Sequence, residues 1–153
     1  MLIQREMPTN EKRVLIVDDD DAIRALLFTI LRRRRFAVDA ARNGLEALAR
    51  LRQCRYAVIL LDLMMPMKSG WDVLDELQRL PADTRPVVIV LTAGNEPRNL
   101  DARLVAASIS KPFDVEVLME TVMACTNALA EQPQLPDCPP ADSAAITRPE
   151  KVN

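Results

Sequence analysis

Four short apolar runs in this chain each end on an acid, a hydroxyl or an amine, and few folds accommodate that pattern. Val14–Val17 runs into Asp18 and Asp19, and Ala57–Leu61 runs into Asp62. Val87–Leu91 runs into Thr92, and the shorter Ala107–Ser110 runs into Lys111-Pro112. Unbroken apolar runs of this length suit strands buried on both faces of a parallel sheet. Open α/β sheets bind ligands beyond the carboxyl ends of their strands. Three acids, a hydroxyl and an ammonium at such ends are therefore candidates for one shared site.

Composition removes several alternatives. The 153 residues fit one domain, and 49% apolar with 27% charged is a globular balance. A net charge of −2 offers no electrostatic attraction for nucleic acid. No run approaches the roughly 18–20 apolar residues that span a bilayer, so no membrane association is expected. Residues 1–11 are a polar extension carrying both charge signs, unlike a secretory signal. The chain has no histidine, which removes Ser-His-Asp and Cys-His catalysis. Cys54, Cys125 and Cys138 form no CxxC pair, so free thiols in a reducing cytoplasm are expected rather than a zinc site. Three glycines, Gly44, Gly70 and Gly94, cannot build a GxGxxG or Walker loop.

Helical periodicity falls between the runs. Ile23, Leu26, Leu27, Ile30 and Leu31 share one helical face. Asp19–Asp21 would sit at that helix's start and Arg32–Arg35 at its end, each matching the helix dipole. Phe36–Ala41 reads as a second strand, and Asn43-Gly44 as the turn into a helix carrying Leu45, Leu48 and Leu51. After Asp62 a loop through Met64-Met65-Pro66 reaches Gly70 and a helix with Val73, Leu74, Leu77 and Leu80. After Thr92, Gly94 and Pro97 lead to a short helix around Leu100 and Leu104. A last helix carries Leu118, Val122, Cys125 and Leu129. Five strand–helix units predict a doubly wound parallel sheet over 12–131. Residues 132–153 hold five prolines and no apolar periodicity, and read as a disordered tail with no second domain after it.

Converging Asp18, Asp19 and Asp62 repel unless a cation joins them, and Mg²⁺ prefers such hard oxygen ligands. One carboxylate could then attack phosphorus, with a lysine and a hydroxyl stabilising the transferring oxygens. Taken singly, every residue has a plainer reading: a helix cap for Asp18–Asp21, a solvated acid for Asp62, an ordinary strand-end threonine for Thr92, a surface lysine for Lys111. The consistent placement at strand ends favours the joint reading. Arg32–Arg35 reads as a solvated helix end. Met64, Met65 and Met67 read as loop packing and Trp71 as a half-exposed aromatic.

VLIVDDDDAIRALL, NGLEAL, VILLDLMMPMKSGWDVL, VVIVLTAG and SKPF together resemble the receiver domain of two-component response regulators, from Lys12 to Glu131. The resemblance implies a flavodoxin-like α/β fold of (βα)5 type with strand order 2-1-3-4-5. It implies Asp62 as phosphoacceptor and Mg²⁺ held by Asp18, Asp19, Asp62 and the Met64 backbone carbonyl. Thr92 and Lys111 would bind the phosphoryl group, and Pro112 would follow a cis peptide. It further implies a histidine kinase or histidine phosphotransfer protein as donor, an unidentified downstream protein, room for a weak homodimer, and a cytoplasmic location.

The chain departs from the pattern at Ser108, where receivers commonly carry the aromatic that follows the threonine's movement. Met64 and Gly94 occupy positions that, in the family the chain resembles, influence how water reaches the acyl phosphate. Methionine gives an attacking water no hydrogen bond, so slow self-dephosphorylation is expected. The leading expectation is a stand-alone, phosphorylation-controlled interaction protein, not an enzyme in its own right. Two alternatives are a receiver fold reduced to a docking module and a Mg²⁺-dependent phosphohydrolase with an aspartate nucleophile. Asp18–Ala22 does not complete the DxDx-Thr/Val motif of one such hydrolase family.

Overall fold

The computed structural model describes residues 12–93 and 100–128. They form a parallel sheet of β1 (Arg13–Val17), β2 (Ala37–Ala41), β3 (Val58–Asp62), β4 (Val87–Thr92) and β5 (Val105–Ser110). Its order is β2-β1-β3-β4-β5, as the resemblance implies. The helices are α1 (Asp21–Arg33), α2 (Gly44–Gln53), α3 (Gly70–Gln78) and α4 (Val115–Ala128).

Alternation along the central strands builds two cores. Leu15, Val17, Ile59, Leu61, Val88 and Val90 pack with Ala47 and Leu48 of α2 and Val73, Leu74 and Leu77 of α3. Val14, Ile16, Val58, Leu60, Ile89 and Leu91 pack with Leu27 and Leu31 of α1 and Leu118, Met119 and Val122 of α4. Each buried Val, Leu, Ile or Met among them contributes about 1.5–3 kcal/mol on burial. A slip of one residue would exchange the faces of a whole strand, so the register is firmly held.

Local chemistry sets the helix ends that matter here. The Asp20 carboxylate accepts from the Ala22 and Ile23 amides and caps α1. The Asn43 side chain accepts from the Glu46 amide and caps α2. Ser69 and Asp72 form a reciprocal capping box on α3. The basic run behaves as a helix end: Arg32 and Arg33 lie in the last turn of α1, Arg34 caps it, and Arg34 Nη1 reaches the Met123 sulfur. Arg35 follows in the left-handed region at φ 73°.

Four expectations are corrected. Residues 101–104 form a turn, not a helix: the Asp101 carbonyl accepts from the Leu104 and Val105 amides, and the Asp101 carboxylate from the Arg103 amide. The described residues therefore hold four α-helices instead of five, and β5 begins two residues earlier than expected. Leu80 lies beyond α3 and is exposed, because Pro81 stops the helix short. Cys125 is a free thiol, but Cys54 is disulfide-bonded, so the expectation of free thiols fails at Cys54. Gly94, Leu129, the extension 1–11 and the tail 132–153 lie outside the described residues. No helix among the described residues is long and apolar enough to cross a membrane.

Candidate functional site

Because β1 and β3 are neighbours, their carboxyl ends bring Asp18 and Asp19 beside Asp62. One carboxylate oxygen from each of the three lies within 4.8 Å of the others. Asp18 is fully buried and Asp62 nearly so, whereas Asp19 is exposed. The Asp18 amide donates to the Ala41 carbonyl, tying the start of the turn to β2. Asp18 Oδ1 accepts from the Asp20 amide at 2.9 Å, and Asp62 Oδ1 accepts from the Met64 amide at 3.1 Å.

Lys111 enters from β5. Its amide donates to the Thr92 carbonyl at 2.7 Å, and the following Lys111-Pro112 peptide is cis, as the resemblance implies. Its ammonium lies 2.9 Å from Asp18 Oδ2 and 3.4 Å from Asp62 Oδ2. The first contact pairs the ammonium with the fully buried Asp18 Oδ2, and the second, longer one reaches the nearly buried Asp62. Burial alone would lower the Lys111 pKa, but Asp18 and Asp62 outweigh it and raise it above its ordinary value. Burial, reinforced by Asp18 and opposed by Lys111, pushes Asp62 up to about 6.

Three carboxylates meet one ammonium, which leaves negative charge unbalanced on converging oxygens, and the carboxylate of Asp19 is open to solvent. A divalent cation with a preference for hard oxygen ligands would balance that charge, so the donor set fits Mg²⁺. Thr92, buried at the end of β4, completes the carboxyl edge. Met64 is 62% exposed beside the acid cluster while Met65 is buried. Gly70 is forced by crowding: a Cβ there would lie 2.4 Å from the Asp62 carbonyl oxygen.

Ser108 lies outside this cluster. It is exposed on β5, pairs in register with Val90, and sits between Ala107 and Ile109, which face the α1/α4 core. Sequence reasoning missed Arg24, whose Nη1 donates to the Asp18 carbonyl at 2.8 Å and whose Nη2 pairs with Asp21. The available signal was the i, i+3 spacing of Asp21 and Arg24.

A sequence profile of the response regulator receiver domain matches residues 14–123. The chain is 39% identical over 119 residues to the transcriptional regulatory protein ResD of Bacillus subtilis, covering 76% of this chain and 48% of that protein. It is 36% identical over 138 residues to the response regulator MprA of Mycobacterium ulcerans, covering 88% and 57%. The chain thus spans about half the length of these relatives. Among solved structures, it is similar to response regulator TrrA of Thermotoga maritima in complex with Mg²⁺ and BeF (34% identity, TM-score 0.67, covering 74% of this chain and 98% of that one). A CheY-like receiver of Methanospirillum hungatei gives 32% identity and a TM-score of 0.70, covering 78% and 98%. The strand order, the acid cluster and the profile agree: this chain belongs to the response regulator receiver domain family.

Proposed function

We propose that the protein is a Mg²⁺-dependent phosphoryl acceptor that takes its phosphoryl group on Asp62 from a phosphohistidine of a histidine kinase or phosphotransfer protein. The observation that carries this is the meeting of Asp18, Asp19 and Asp62 with the Lys111 ammonium at one sheet edge. A carboxylate oxygen of Asp62 attacks phosphorus, the histidine N–P bond breaks, and the leaving imidazole takes up a proton. Asp18, Asp19, Asp62 and the Met64 carbonyl would hold the cation, which neutralises charge on the phosphoryl oxygens. Lys111 leaves its carboxylate partners to pair with the phosphoryl group, and the Thr92 hydroxyl donates to it. A solved relative in complex with Mg²⁺ and BeF supports Mg²⁺ as the cation here.

The output is a change in protein–protein contact, with no reaction on a separate substrate and no nucleic-acid contact of its own. Its location is the cytoplasm, where phosphohistidine donors operate. Incubation with Mg²⁺ and acetyl phosphate should add the mass of one phosphoryl group. Chelation of the metal should abolish the gain. If wild type gains nothing from acetyl phosphate or from a phosphorylated donor, the fold serves as a docking module instead.

Because Met64 is exposed beside the acceptor and offers no hydrogen bond to water, the phosphorylated protein should be long-lived. Its half-life, followed by loss of the mass increment after donor removal, is expected to run to minutes or more. Decay within seconds would show that Met64 does not restrain hydrolysis.

A further inference from the structure

Asp19 is the exposed member of the acid cluster, and no hydrogen bond or ion pair among the described residues holds its carboxylate. Only its backbone can aim it. The two peptide planes flanking Asp19 are each anchored by a side chain. The Asp19–Asp20 plane is held where the Asp20 amide donates to Asp18 Oδ1 at 2.9 Å. The Asp18–Asp19 plane is held where Arg24 Nη1 donates to the Asp18 carbonyl at 2.8 Å. The Arg24 side chain is only 16% exposed, and its second arm pairs with Asp21, one turn earlier on α1. Its own amide donates to the Asp20 carbonyl at 3.0 Å, so the residue is built into the turn that carries the acids.

We infer that Arg24 is the positioning residue of the cation site, fixing the Asp18–Asp19 peptide and thereby the direction of the Asp19 carboxylate. A guanidinium suits the task because its rigid fork bonds a carbonyl and a carboxylate together, which a lysine ammonium does less well. Groups that orient metal ligands typically affect affinity as the ligands' own partners do. The inference rests on the cation-binding reading above and names a residue that reading does not use.

Charge and position predict opposite signs, which makes the test decisive. Removing a nearby positive charge should tighten binding of a dication, whereas releasing Asp19 should weaken it. Calorimetric titration of the full chain with magnesium chloride should show Arg24→Met binding about tenfold more weakly than wild type. Arg24→Lys, which keeps the charge but not the fork, should fall between them. In metal-free protein, exchange of the Asp20 amide, which bonds Asp18 Oδ1, should speed up in Arg24→Met; this readout needs no cation and applies equally to Arg24→Lys should the methionine variant not fold. Wild-type or tighter Mg²⁺ affinity in Arg24→Met, or unchanged amide exchange in a folded variant, overturns the inference. Absence of Mg²⁺ binding by wild type instead overturns the cation-site reading itself.

Discussion

Replacing Asp62 with asparagine is expected to abolish phosphorylation and, in the absence of metal, to make the protein more stable at neutral pH. The second effect follows from the environment of the carboxyl group. Burial and the Asp18 charge push Asp62 up to about 6, from an ordinary 3.8, so the fold prefers its neutral form. The native state then binds more protons than the unfolded chain between these values, and wild-type stability falls as pH rises through 6. At pH 7 to 8 the ionised carboxylate costs the native state about 2 kcal/mol, since a tenfold loss of acidity corresponds to about 1.4 kcal/mol and solvent at the open edge screens part of the effect. Asparagine removes that cost. The Asp62→Asn advantage should therefore be largest at pH 7 to 8, shrink as pH falls through 6, and vanish near 4. Thermal melts of both proteins in chelator across this range check it. Saturating Mg²⁺ should reverse the order, because only wild type supplies the full ligand set. Equal melting temperatures at pH 7.5 in chelator would show that Asp62 is not strained by its surroundings.

Gly70→Ala should lower stability and disturb the acceptor together. Gly70 opens α3, and its amide donates to the Leu63 carbonyl at 3.1 Å, so the chain passes against the end of β3. An added Cβ would sit 2.4 Å from the Asp62 carbonyl oxygen and 2.7 Å from Leu63 Cα. Both obstacles are backbone and cannot swing aside. The helix-propensity gain of alanine, about 1 kcal/mol, is smaller than the strain of forcing α3 off β3, about 1–3 kcal/mol. The net loss should lower the melting temperature by several degrees, on the order of 5 °C. It should also weaken Mg²⁺ binding, since the displaced backbone carries Asp62. A variant melting with wild type would show that the α3 start can shift without effect.

The central strands were legible because β1, β3 and β4 are covered on both faces, so their sequences carry uninterrupted apolar runs. Their order was not: it came only through the resemblance, because apolar runs do not say which strand lies beside which. The turn at 101–104 was misread as helix since Leu100 and Leu104 do pack on the core, but the Asp101 carboxylate binds the Arg103 amide and closes a turn instead. The acid run shows a different limit. Asp18 is buried, Asp19 is exposed at the cluster, Asp20 caps α1 and Asp21 pairs with Arg24. Four identical residues divide four roles, and composition assigns none of them. Sequence located the site, and three-dimensional placement distributed its duties.

Reductive trapping tests whether Asp62 itself receives the phosphoryl group. Borohydride cleaves an acyl phosphate by reducing the aspartyl carbon to an alcohol, leaving homoserine at the modified position. Peptide mass spectrometry of protein treated with Mg²⁺, acetyl phosphate and borohydride should find homoserine at position 62 and unmodified Asp18 and Asp19. Homoserine at Asp18 or Asp19, or phosphorylated protein with Asp62 intact, would rule out Asp62 as the acceptor.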